Sequence, residues 1–199
     1  MGKGNEYGLQ KNLVVNNKQL VYTGIFRSEE LFPLINRILE EKGYAKNEKR
    51  SEETVTASGK NLYLELRSSK IVTDYITLMI KIKISLENVV EEVKEIDGKK
   101  RKFDKGDVVI SFDSWSITDY ENRWGMQPLT YFLKGVINKY LYTFPIEKGS
   151  FSTLVGDTAY IHGQIRKLFN SYTGKENKIV REEDVVKEME KDIFASEEI

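Results

Sequence analysis

The stretch Ile76-Thr77-Leu78-Met79-Ile80-Lys81-Ile82-Lys83-Ile84-Ser85-Leu86 decides the fold. Aliphatic residues hold every second position, and the residues between them are mostly polar. Side chains of a strand point alternately to its two faces, so this period of two reads as a strand with one buried and one wet face. That pattern belongs to an antiparallel sheet covered on one side only.

Working outward, the same period extends in both directions. Upstream, Tyr44–Ala57 and Asn61–Val72 alternate on either side of Ser58-Gly59-Lys60, which reads as a hairpin turn. Downstream, Val89–Ile96 and Lys99–Phe103 flank Asp97-Gly98, a dipeptide suited to a tight hairpin. Lys105-Gly106-Asp107 reads as a further turn before a last strand carrying Val108, Ile110 and Phe112. With a first strand at Gln19–Phe26, about six strands are expected.

Helical spacing appears on both sides of this block. Ser28 reads as an N-cap, with Glu29 and Glu30 in the first turn, where the helix dipole favours anions. Leu31, Leu34, Ile35, Ile38 and Leu39 form the apolar face, and Gly43 suits the C′ position. Pro128 opens a second helix, whose Leu129, Phe132, Leu133, Val136, Ile137 and Tyr140 are spaced to cover the sheet. A third helix, from about Ser152 to Tyr172, places Leu154, Thr158, Ile161, Ile165, Leu168 and Tyr172 along one seam. Gly156, Ala159 and Gly163 in that helix are small enough to admit a close neighbour. The tail from Lys175 is highly charged, and Val186, Met189 and Ile193 give it a short amphipathic stretch over 182–194.

The expected fold is therefore α+β: a curved antiparallel sheet of about six strands packed on the helix at 128–143, with an additional long helix and a C-terminal tail. Residues 1–19 read as an N-terminal arm, 20–174 as a single domain and 175–199 as the tail. The order strand, helix, antiparallel strands, long helix over about residues 20–143 resembles the helix-grip, START-like superfamily. That superfamily usually has two short helices after its first strand where this chain has one, and this chain adds a second long helix. Trp124-Gly125-Met126-Gln127-Pro128-Leu129, followed by Phe132-Leu133, is also similar to uncharacterised archaeal proteins. The helix-grip resemblance spans ligand carriers, enzymes and regulators, so it selects no function.

Composition narrows the chemistry. Lys+Arg and Asp+Glu both number 31, for a formal net charge of +0. That argues against a dedicated nucleic-acid binder, whose affinity rests on excess cations. The absence of cysteine excludes disulfides, thiolate nucleophiles and cysteine-held metals. No cofactor or metal is expected. No apolar run approaches a membrane span, and no signal peptide opens the chain, which makes the cytoplasm the expected location.

Few residues stand out as a site. Phe112–Pro128, FDSWSITDYENRWGMQP, gathers Trp115, Tyr120, Arg123 and Trp124, residue types enriched at interfaces and at the mouths of ligand cavities. The structural alternative is a loop whose large side chains close one end of the core. His162, the single histidine, has no carboxylate at helical spacing to orient it, and reads as a helix-surface or interface residue. Lys99-Lys100-Arg101-Lys102 would either touch phosphate or protect a strand edge.

The leading expectation is a non-enzymatic module acting through self-association or a protein partner. Gly156, Ala159, Gly163, Val186, Met189 and Ile193 are the self-association candidates. The alternative is a carrier or sensor of an apolar small molecule held between sheet and helix, and the third is an enzyme using carboxylates and tyrosines.

Overall fold

The computed structural model describes residues 9–96, 99–119 and 145–172. They form an α+β arrangement with one open antiparallel sheet. The elements are β1 (Leu9–Phe26), α1 (Ser28–Glu41), β2 (Glu48–Thr56), β3 (Gly59–Thr73), β4 (Ile76–Ile96), β5 (Lys99–Asp119) and α2 (Pro145–Tyr172). The sheet is 5-stranded, in the order β1-β5-β4-β3-β2, so β1 closes one side of the long β4–β5 hairpin and the β2–β3 hairpin the other.

The alternating stripe behaves as its period requires. Ile76, Leu78, Ile80, Ile82, Ile84 and Leu86 are buried on one face. Register continues the rows sideways: Leu66, Ile82 and Phe112 lie abreast, as do Leu64, Ile84, Ile110 and Leu20. Leu31, Ile35, Ile38 and Leu39 of α1 and Leu154, Ile161, Ile165 and Phe169 of α2 complete this core. Tyr22 stacks on Phe169 at 4.5 Å between ring centroids, and Phe26 meets both rings edge-on. The expected covering helix at 128–143 lies outside the described residues, as does the tail from Lys175.

Four expectations are corrected. Among the described residues there are five strands, because the two alternating stretches on each side of the Asp97-Gly98 hairpin are continuous: β4 runs unbroken to Ile96 and β5 from Lys99 to Asp119. What reads as an interruption near Val89 is a bulge between Glu87 and Val90, with Asn88 at φ 53. Lys105-Gly106-Asp107 is accordingly no turn. It lies mid-strand, paired to Ile25, Gly24 and Thr23 of β1 and facing the bulge in β4. The first strand begins at Leu9 rather than Gln19, with register shifts between Leu13 and Val15 and between Val15 and Lys18.

Helix α1 follows its apolar spacing but not its expected cap. Arg27 occupies the N-cap position with no side-chain cap bond. Asp104 of β5 supplies the acceptor instead: the Ser28 N–H and Oγ–H donate to its Oδ2 at 2.9 and 2.5 Å. At the other end Gly43 takes φ 78, its N–H donates to the Glu40 carbonyl, and the Tyr44 N–H donates to the Leu39 carbonyl. This is a Schellman termination, and it needs a residue that tolerates the left-handed region.

Candidate functional site

Of the four residues marked in Phe112–Pro128, only Trp115 is described; Tyr120, Arg123 and Trp124 lie outside the described residues. Trp115 is not in a loop. It lies in β5 on the sheet face away from the helices, opposite Met79 and Leu13, with the Lys81 ammonium 4.7 Å from its ring centroid. The alternation past Phe112 is hard to see because its inward positions turn polar: Ser114, Ser116 and Thr118 are buried. Ser114 and Thr158 pair their hydroxyls at 2.8 Å, which ties β5 to α2.

Beside Trp115, Asp113 is the focus of a charged cluster. It lies 2.8 Å from the Lys81 ammonium and 3.6 Å from that of Lys83, and it accepts the Asn17 N–H at 2.9 Å. Burial by itself would raise its pKa. The Lys81 hydrogen bond, the Asn17 N–H and the lysine charges outweigh that and hold the carboxyl below the usual aspartate value. A depressed folded pKa contributes stability that is present above the unfolded value, about 3.9, and is lost as pH falls through the lower folded one. Asp113→Asn should therefore be less stable than the natural chain at pH 6. That deficit should shrink steadily below about pH 4 in urea titrations, since the unfolded carboxyl titrates near there. A deficit equal at pH 6 and pH 2.5 would contradict the assignment.

A second cluster joins both helices to β3. Asp157 of α2 is buried, accepts the Tyr44 hydroxyl at 3.1 Å, and lies within 3.8 and 3.4 Å of the Lys42 and Lys70 ammonium groups. Burial, reinforced by the Asp157 charge, pushes the Tyr44 phenol far above the ordinary tyrosine value. A deeply buried phenol on a carboxylate already neutralised by two lysines is a satisfied core network, and it offers no free base for proton transfer. Sequence spacing could not reveal it, because Tyr44 and Asp157 are separated by 113 positions.

The helix residues marked for self-association divide similarly. Ala159 is buried, whereas among the described residues, the adjoining backbone of α2 and the glycines' chain neighbours aside, nothing comes within 4 Å of a Cβ built on Gly156 or Gly163. Val186, Met189 and Ile193 lie outside the described residues. His162 is not a surface residue: it is buried on α2 with its ring 5.7 Å from that of Phe112.

The arrangement with the clearest binding geometry lies along β1. Its one strand partner is β5; among the described residues no strand pairs its other side. From Lys18 to Phe26 its pairing with β5 is regular, beyond the last bulge. Alongside this edge runs α2, and between them is a groove of about 470 Å³. Lys18, Leu20 and Tyr22 line one wall and His162, Arg166 and Phe169 the other. Positions 162, 166, 169 and 170 fall on one side of a helix, so a single face of α2 runs along the strand. The opposite sheet edge differs: every residue of β2 is exposed, and its Glu48-Lys49-Arg50 and Glu52-Glu53 place charge along the strand, which discourages pairing.

A smaller cavity of about 360 Å³ opens at the start of α1. Phe32, Leu62, Leu86 and Val89 form its apolar surface, and Arg27, Lys60 and Lys102 stand with Glu29, Glu91 and Asp104 around it. Among the described residues no group of three or more His, Cys, Asp or Glu is placed to hold a metal ion. None of their helices is long and apolar enough to cross a membrane. Compared with known protein families, curated proteins and solved structures, the chain matches none.

Proposed function

We propose that the chain is a non-enzymatic interaction module that receives an extended segment of a partner protein along the edge of β1 that no described strand pairs. The observation carrying this reading is the regular edge from Lys18 to Phe26 with α2 alongside it. An exposed edge offers a row of backbone donors and acceptors to an incoming strand, and a flanking helix adds side-chain contacts that set specificity.

A second reading is favoured by the cavity at the start of α1. Its volume falls in the range of small-molecule sites, about 300–1,000 Å³, and its mixed apolar and charged lining suits an amphipathic molecule. One experiment separates the two. Random dodecapeptides displayed on phage are selected on the full-length protein, and hydrogen exchange maps where the enriched peptides bind. Protection over residues 16–22 and 162–170 is expected. Protection confined to 27–32 and 86–91 would transfer the function to the cavity, and failure to enrich any peptide would remove the edge reading.

A further inference from the structure

We infer that the partner received at the β1 edge is a second copy of this chain, the two β1 strands pairing antiparallel about Val21. This rests on the edge-docking reading and adds the identity of the partner. Asn16 to Tyr22, residues of both sheet faces, border the groove beside α2, so the edge itself opens into it. Natural sheet edges are commonly blunted by charge, as the sequence of β2 is. Between Lys18 and Gly24 only Lys18 is charged, and Val21 is 68% exposed. A formal net charge of +0 also sets up little repulsion between copies.

Register selects the pairing. The irregularity between Val15 and Lys18 interrupts the strand, so the regular edge begins at Lys18. A two-fold axis at Val21 sets Lys18 opposite Gly24, Gln19 opposite Thr23, and Leu20 opposite Tyr22 of the other copy. Leu20 and Tyr22 lie beside Ile110 and Val108 on the helix side, so an apolar row of the core continues across the axis. On the opposite face Val21 lies beside Val109 and meets its own equivalent, which makes an unbroken row of valines.

The polar positions also match. The Thr23 hydroxyl donates to Asp107 at 2.7 Å, which leaves its oxygen to accept from an incoming donor. Gln19 donates one amide N–H to Asn17 and has a second to offer. Lys18 meets a glycine, so no like charges are opposed. Moving the axis to Tyr22 would set Val21 against Thr23 and Gln19 against Ile25, mixing apolar with polar residues on one face.

The chain has no cysteine, so single cysteines report this geometry directly. Opposed residues of an antiparallel pair have Cα atoms about 4.5–5.5 Å apart, within disulfide reach. Under mild oxidation of the full-length protein, Val21→Cys should form a covalent dimer. Gln19→Cys and Thr23→Cys should each stay uncrosslinked alone and join when mixed. Val55→Cys, on β2 and 76% exposed, controls for random collision. Sedimentation equilibrium should show a dimer that Val21→Lys weakens by about tenfold or more, since it places two ammonium groups face to face. The unfolding curve of that variant at low concentration should stay in place, because residue 21 is exposed. Val55→Cys joining as fast as Val21→Cys, Gln19→Cys joining alone, or a dimer untouched by Val21→Lys would overturn the inference. A chain monomeric at every concentration, with selected peptides still protecting residues 16–22, would overturn the second copy and leave edge docking standing. No dimer and no peptide binding would overturn both.

Discussion

Ile82→Ala is expected to lower the free energy of unfolding by about 2–5 kcal/mol, the usual cost of removing a buried isoleucine side chain to its Cβ. Ile82 is fully buried, lies abreast of Leu66 and Phe112, and faces the helices. None of these neighbours can follow a shrinking side chain without breaking sheet register, so most of the vacated volume stays as a cavity. Domains of ordinary stability hold about 5–15 kcal/mol, so this one change removes a large share. The adjacent Lys83→Ala should cost no more than about 0.5 kcal/mol, because it lies on the other face and its contact with Asp113 is the weaker of two. Urea unfolding of the two variants checks the contrast, and equal costs would mean that the stripe is not the buried face.

Gly106→Asn carries the second large effect, and it distinguishes a turn from a strand. A turn glycine is commonly replaced by asparagine at little cost, because asparagine tolerates turn geometry. At the position observed, a Cβ would lie 2.8 Å from the Glu87 carbonyl oxygen and 3.1 Å from the Val89 Cα. Both obstacles include backbone atoms of the β4 bulge, which cannot rotate away. Gly106→Asn and Gly106→Ala should therefore both destabilise by about 1–3 kcal/mol, the range for forcing extra atoms into packed structure. Hydrogen exchange should quicken around Glu87–Val90 before it does in the Ile76–Leu86 segment. An asparagine variant as stable as the natural chain would restore the turn reading.

These two sites also mark how far the residues alone can be read. Ile76–Leu86 and Leu31–Leu39 announce their structure because burial on one face imposes a period on neighbouring residues, 2 for a strand and 3.6 for a helix. Gly106 was ambiguous because Lys-Gly-Asp satisfies both a turn and a close backbone crossing; the choice depends on Glu87 and Val89 of a neighbouring strand. The continuation of β5 past Phe112 was obscured because Ser114 and Thr118 are polar, and their burial is compensated by α2, as the Ser114–Thr158 hydroxyl pair shows. Trp115, which reads as part of a loop, stands instead in β5, because the strand continues past Phe112. Lys18 and Arg166 carried no mark at all, since nothing local distinguishes an edge lysine from any other.

What the residues determined unaided was local: which segments extend, which coil, and which face of each is apolar. Strand order, the capping of α1 by an aspartate 76 positions away, the Tyr44–Asp157 network and the groove beside β1 were decided by tertiary structure. The reason is physical. Periodicity records that a surface must leave water, but burial is non-directional and does not specify which surface it meets. Partner choice follows from hydrogen bonds and close contacts between residues far apart in the chain, and those exist only once the strands have paired.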